Sequence, residues 1–181
     1  MNSNNIYLVN HRPESCEPLK SIMRLPKKEA FELAEKLHAE NPCIAYERFG
    51  RKKFRKYYSD RLKTEKWLYK KFIELGGKPQ TEHPLYFYVH SWDQVEKFWG
   101  LNVVEKITLS DIDRSDVSFT FADSYMEMKH NRNRKDPFLK DQLLEYLSSN
   151  DNDVEKLLEY VKEQTGVSMI EAQLWNDKYF Y

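Results

Sequence analysis

The run Leu85-Tyr-Phe-Tyr-Val89 constrains this chain more than any other segment. Side chains alternate between the two faces of a strand, and here both alternating sets are apolar or aromatic, with no charge. Such a strand belongs in the interior of a sheet that is covered on both sides. The chain must therefore supply layers of structure for two faces. With 181 residues it can do so within one domain, burying roughly 70% of the surface its unfolded form exposes.

The flanking segments supply those layers. Ile6–Val9 reads as a strand ending at His11-Arg12-Pro13, and Pro26 opens a helix to about Glu40, stopped by Asn41-Pro42. Ile44–Phe49 and Phe54–Tyr58 read as two strands joined across Gly50, a hairpin. A helix follows over 60–75, ended by Gly76-Gly77. Beyond the central strand, Ser91 and Gln94 have the spacing of a helix cap, which predicts a short helix over 92–99. Strands are predicted over 103–109 and 117–121, and helices from Asp136-Pro137 to Leu147 and from Val154 to Gln164. A last strand spans Ser168–Trp175, and Lys129–Lys135 reads as a polar loop. This irregular order predicts a single α+β domain over residues 1–181, with a mixed or mainly antiparallel sheet and helices packed on it. The expected core includes Leu8, Phe31, Leu37, Leu68, Phe72, Phe87, Val89, Phe119, Leu143 and Leu158.

Several chemistries are excluded by what the chain lacks. Its five glycines are isolated or sit at helix stops, leaving no glycine-rich loop to cradle phosphates, as P-loop and dinucleotide-binding folds need. Two cysteines without a CxxC pair do not make a zinc ribbon or a disulfide scaffold. Asp111, Asp113 and Ser115 begin like a calcium loop, but Asp116 stands where glycine is required and Ala122 where the bidentate glutamate belongs. His83 and His90 read as separate structural histidines, so neither a metal nor a resident cofactor is expected. No window approaches 18 apolar residues, and the N-terminus has no basic, apolar leader, so the expectation is a soluble, cytoplasmic protein with no membrane partner.

Net charge is zero but unevenly spread. Arg48–Lys71 holds eleven Lys/Arg against Asp60 and Glu65, whereas Asp141–Tyr181 holds nine Asp/Glu against three lysines. The segment Arg48-Phe-Gly-Arg-Lys-Lys-Phe-Arg-Lys-Tyr-Tyr58 also interleaves cations with aromatic rings. Cations neutralise phosphates and exposed rings stack on unpaired bases. Arg51, Lys52, Lys53, Arg55, Lys56 and Tyr57 are therefore the candidate contacts for single-stranded nucleic acid or another polyanion. The same pattern is also that of a solvated basic surface, or of one paired with the acidic C-terminal residues Glu155, Glu159 and Glu163. Those acidic helices are in turn a candidate protein-interaction surface.

Two resemblances add to this reading. Val117-Ser-Phe-Thr-Phe-Ala-Asp-Ser124 and Ile170-Glu-Ala-Gln-Leu-Trp175 resemble segments of small uncharacterised proteins of Gram-positive bacteria, over about the last third of the chain. That resemblance implies no activity. Arg12 or His11 after the first strand, Ser91 after the central strand and Glu171 in the last strand resemble the pattern of ADP-ribosyltransferases, which bind NAD without a glycine-rich loop. The resemblance implies an NAD-using enzyme in which a cation holds the pyrophosphate and Glu171 stabilises an oxocarbenium-like centre. It requires all three residues to converge on one cleft.

Overall fold

The computed structural model describes residues 6–14, 16–41, 44–90, 101, 103–130 and 135–180, with backbone alone at 128–130. In chain order the elements are β1 (Tyr7–Arg12), α1 (Lys27–Glu40), α2 (Arg51–Glu74), β2 (Leu85–Val89), β3 (Val103–Thr108), β4 (Val117–Phe121), α3 (Ser124–His130), β5 (Phe138–Leu139), α4 (Lys140–Ser148), α5 (Val154–Thr165) and β6 (Ile170–Leu174). The strands form one antiparallel sheet of order β3-β1-β2-β6-β4-β5. The fold is α+β. β2 lies inside it between β1 and β6, with Phe87 and Val89 buried, as the double-faced apolar run requires.

One face of the sheet is apolar. Leu8, Phe87, Val89, Val117, Phe119, Ile170, Ala172 and Leu174 share one cluster with Leu143 and Leu147 of α4 and Leu157, Leu158 and Val161 of α5. Local signals set these two helices. Asp153 Oδ1 accepts from the backbone N–H groups of Glu155 and Lys156 at the start of α5, and Gly166 ends it at φ 81°. α4 starts at Lys140, later than Asp136-Pro137 suggests, because Phe138 and Leu139 instead pair with β4 as β5.

The other face is covered by α2, and there the hairpin expected over 44–58 does not form. Residues 44–49 make a 3-10 turn, and Arg51–Tyr58 is the first third of a 24-residue helix. The reason lies in packing. Phe54, Tyr58, Arg61, Glu65, Leu68 and Phe72 recur at three- and four-residue spacing and are all buried, as one face of a helix must be. The ring of Phe31 on α1 lies 4.9 Å from that of Phe54 and 5.4 Å from that of Tyr58. At its far end α2 drops Phe72 onto Trp175, with rings stacked at 5.3 Å. Phe31 and Leu37 of the expected core are half-buried, since α1 packs on α2 rather than on the sheet, and the other eight are buried. α3, which local periodicity did not suggest, is started by Asp123 Oδ1, which accepts from the N–H groups of Tyr125 and Met126 at 2.8 and 2.9 Å. The helix expected over 92–99 lies outside the described residues.

Candidate functional site

Between α2 and the sheet the buried surface is polar. β4 alternates Ser118 and Thr120 onto this face, β6 alternates Glu171 and Gln173, and β2 supplies Tyr86 and Tyr88. Register aligns them in two rows, Tyr86–Gln173–Ser118 and Tyr88–Glu171–Thr120. Strict alternation of this kind usually sends the polar set to solvent. Here Ser118, Thr120, Glu171 and Gln173 are all buried beneath the helix.

A continuous hydrogen-bond chain satisfies them. The indole N–H of Trp175 donates to Ser118 Oγ at 2.9 Å, and Ser118 Oγ donates to Gln173 Oε1 at 2.8 Å. Gln173 Nε2 donates to Thr120 Oγ1 at 3.0 Å and to Glu171 Oε1 at 2.9 Å. Ser124 closes the chain from the side, its hydroxyl donating to Glu171 Oε1 at 2.5 Å. Ser124 reaches this position because Ala122 turns the chain at φ 60°, a left-handed conformation that a non-glycine residue adopts only under strain. Burial, reinforced by the nearby charge of Asp123, pushes the Glu171 carboxyl up to about 7, opposed by Arg61 and by its hydrogen bonds.

Helix α2 roofs this floor with charged groups. The Arg61 guanidinium lies 3.7 Å over the ring of Tyr86, and its Nε is 3.4 Å from Glu65 Oε1. Glu65 is fully buried, accepts from Tyr86 OH at 3.1 Å, and pairs with His83 Nδ1 at 2.5 Å. In the sequence Arg61 counts among the basic residues of a surface helix. The fold instead makes it a buried cation: composition does not distinguish it from Lys63 or Lys66, and only its place on the stripe from Phe54 to Phe72 does.

The residues singled out in the sequence are distributed as follows. Glu171 sits at the centre of the polar floor. Arg12 does not join it. Val9 aligns with Tyr88 and so with Glu171, which puts Arg12, three positions on, on the opposite face of the sheet. There it pairs with Glu105 at 3.0 Å. His11 shares the face of Glu171, with its ring 5.9 Å from that of Tyr88, and Ser91 lies outside the described residues. The set Arg12, Ser91 and Glu171 is thus not brought together, because strand alternation separates its first and last members.

The six basic-segment residues lie on one helix turn after another rather than along a strand. Arg51 pairs with Glu35 at 3.3 Å, Lys53 with Glu47 at 3.0 Å and Lys56 with Asp60 at 2.8 Å. Lys52 and Arg55 are exposed. Tyr57 is half-buried against Phe49, Phe54 and Tyr125, with the Arg48 guanidinium 5.3 Å from its ring centre, so its face is taken by the protein's own side chains. These cations pair with Glu35, Glu47 and Asp60, not with Glu155, Glu159 or Glu163, which lie on α5 across the sheet. Among the described residues no helix is long and apolar enough to cross a membrane, and no cluster of His, Cys, Asp and Glu could hold a metal ion. No family model, no curated protein and no solved structure matches this chain.

Proposed function

We propose that this chain is a polyanion-binding protein that docks single-stranded nucleic acid, by its phosphates, along the outer face of α2. The observation that carries the reading is a continuous basic stripe. At 100° per residue, Lys52, Arg55, Lys56, Lys63, Lys66 and Lys70 fall within about 100° of arc around the helix. All six are exposed, and the stripe runs about 27 Å. Only Asp60 and Glu74 offset it, and Lys52, Arg55 and Lys66 have no acidic partner among the described residues. The stretch Lys140–Thr165, which spans α4 and α5, holds seven Asp/Glu against three lysines and lies across the sheet, so the molecule is electrically polarised and would present α2 to an anion. Tyr57 is not offered to a base for stacking, since its ring is engaged within the fold.

Fluorescence anisotropy against single-stranded RNA, single-stranded DNA and heparin at two salt concentrations tests this reading. Affinity should fall with salt by about 0.7 logarithmic units of slope for each phosphate neutralised. Replacing Lys52, Arg55, Lys63 and Lys66 with glutamine should flatten that slope. Binding indifferent to the four substitutions, or none at low salt, would remove the proposal.

A further inference from the structure

Residues 176–180, which follow β6, cross the fold as a strap anchored at three separate places. The Arg24 guanidinium grips Asp177 with both terminal nitrogens, at 2.6 and 3.1 Å. Lys178 Nζ bonds to Asp113 and lies 2.8 Å from Asp116 Oδ2. The Tyr179 hydroxyl donates to Asp116 Oδ2 at 2.6 Å and accepts from the backbone N–H of Asp113 at 2.9 Å. The ring of Phe180 stacks on that of Phe87 in β2, with centres 6.0 Å apart, and Tyr179 and Phe180 both pack on the apolar cluster of the sheet.

Asp116 ties these anchors together. It is 4% exposed, and among the described residues every side-chain partner of its carboxylate belongs to the strap: Asn176 Nδ2 at 3.4 Å, Lys178 Nζ and the Tyr179 hydroxyl. A buried carboxylate is costly unless its hydrogen bonds are met, so these contacts form and break together. Asp113 and Asp116 of the acidic turn thus serve as the socket for the Lys178 ammonium.

The strap can leave without unmaking the fold. β6 ends at Leu174, and the backbone bonds of Trp175 to Asp116 and Gln80 do not involve 176–180. The sockets also stand on bonds of their own. Asp116 N–H donates to the carbonyl of Asp113 at 3.0 Å, Lys140 Nζ to that of Ile112 at 2.7 Å, and Arg24 Nε to that of His83 at 2.8 Å. The ionic part of the fastening lies at the surface, with the Lys178 and Asp113 side chains 49% and 65% exposed, so salt weakens it.

We propose that 176–180 is a latch, which opens as one unit while the sheet stays folded and in opening bares the Phe87 end of the sheet's apolar face. Closed, it withholds that surface behind Tyr179 and Phe180. Open, it gives Asp113, Asp116 and Lys178 to water, which solvates them, and breaks no strand pairing. Few contacts are lost and the sockets persist, so the latch recloses on a surface already shaped for it. It lies on the sheet face opposite α2 and is independent of the polyanion reading.

Native-state hydrogen exchange of the full chain, read by NMR, tests the latch. Three amides report its closure: Asp113, which donates to Tyr179, and Lys178 and Phe180, which donate to Asn176 Oδ1 and the carbonyl of Asp177. At low salt all three should be protected and share one opening constant, larger than that of the β6 amides. Raising salt from about 0.1 M to about 1 M cuts the screening length from about 10 Å to about 3 Å, and should raise that constant about tenfold with β2 and β6 unchanged. Lys178→Gln should do the same at low salt. Phe180→Ala should speed exchange at Asp113, at the far end of the strap, which a local loss of packing would not do. Each opening should also raise the fluorescence of Nile red, a neutral dye that the cations of α2 do not attract. Absence of protection at low salt, amides that respond separately to the two variants or exchange only together with β6, or opening without added Nile red binding overturns the latch.

Discussion

The hydroxyl of Ser124 donates to Glu171 Oε1 at 2.5 Å across 47 positions of sequence, joining the first residue of α3 to β6. The bond holds a carboxyl that is fully enclosed and that titrates near 7 rather than at its ordinary 4.5. Between those values the native state binds more protons than the unfolded chain, so stability falls as pH rises from about 4.5 to about 7 and is level above. The loss is on the order of 3 kcal/mol. Urea unfolding at pH 5 and pH 8 should show it, and Glu171→Gln should remove the difference by stabilising the protein at pH 8. Equal pH dependence in the variant would show that another group is responsible.

Glu65 neutralises Arg61 from a position with no solvent exposure. Glu65→Gln should cost about 3–5 kcal/mol, because it leaves a buried guanidinium without its counter-charge. Replacing both together, Arg61→Met with Glu65→Leu, should cost markedly less than the sum of the single changes. A double-mutant cycle in denaturant measures this coupling directly.

Tyr57 should behave as a packing residue. Its ring meets Phe49, Phe54 and Tyr125, so Tyr57→Ala should destabilise the fold by about 2–4 kcal/mol. The salt slope of polyanion binding should be unchanged once the protein is folded. A variant of parental melting temperature with weakened oligonucleotide binding would instead place the ring on the ligand.

Gly77 follows the end of α2 with its backbone against the Phe72 ring, inside van der Waals contact for any added Cβ. Phe72 cannot yield, being stacked on Trp175 at 5.3 Å and wholly buried. Gly77→Ala should therefore cost about 1–3 kcal/mol by overpacking, readable as a drop in thermal midpoint. Gly76, which has nothing within reach of a Cβ but holds φ 92°, should cost about 1 kcal/mol through backbone strain alone.

Elements with strong local signals were legible in the residues themselves. β2 announces its burial by carrying rings and aliphatics on both faces, and α5 is bounded by Asp153 and Gly166 whatever surrounds it. α3 carried a readable signal too, since Asp123 precedes it as a cap, but seven residues without an apolar period gave nothing to extend. Within α2, Phe54–Tyr58 reads as the second strand of a hairpin because cations and rings alternate there over a short window. The longer spacing from Phe54 through Phe72 is helical, and contact with Phe31 of α1 stabilises it.

What the sequence by itself determined is the set of amphipathic segments, the interior position of β2 and the unequal charge of the two ends. What only the tertiary structure decided is where the polar faces went. Ser118, Thr120, Glu171 and Gln173 alternate with apolar residues exactly as a solvent-facing set would, and Arg61 is one of many cations on its helix. Burial of these groups depends on which element lies over them. α2 spans both halves of that face, apolar where Leu68 and Phe72 meet Trp175 and polar where Arg61 and Glu65 meet Tyr86 and the row of Glu171. Hydrophobic periodicity reports how much apolar surface a segment must hide, but it carries no information on a polar face that is hidden because its hydrogen bonds are completed by residues 47 to 57 positions away.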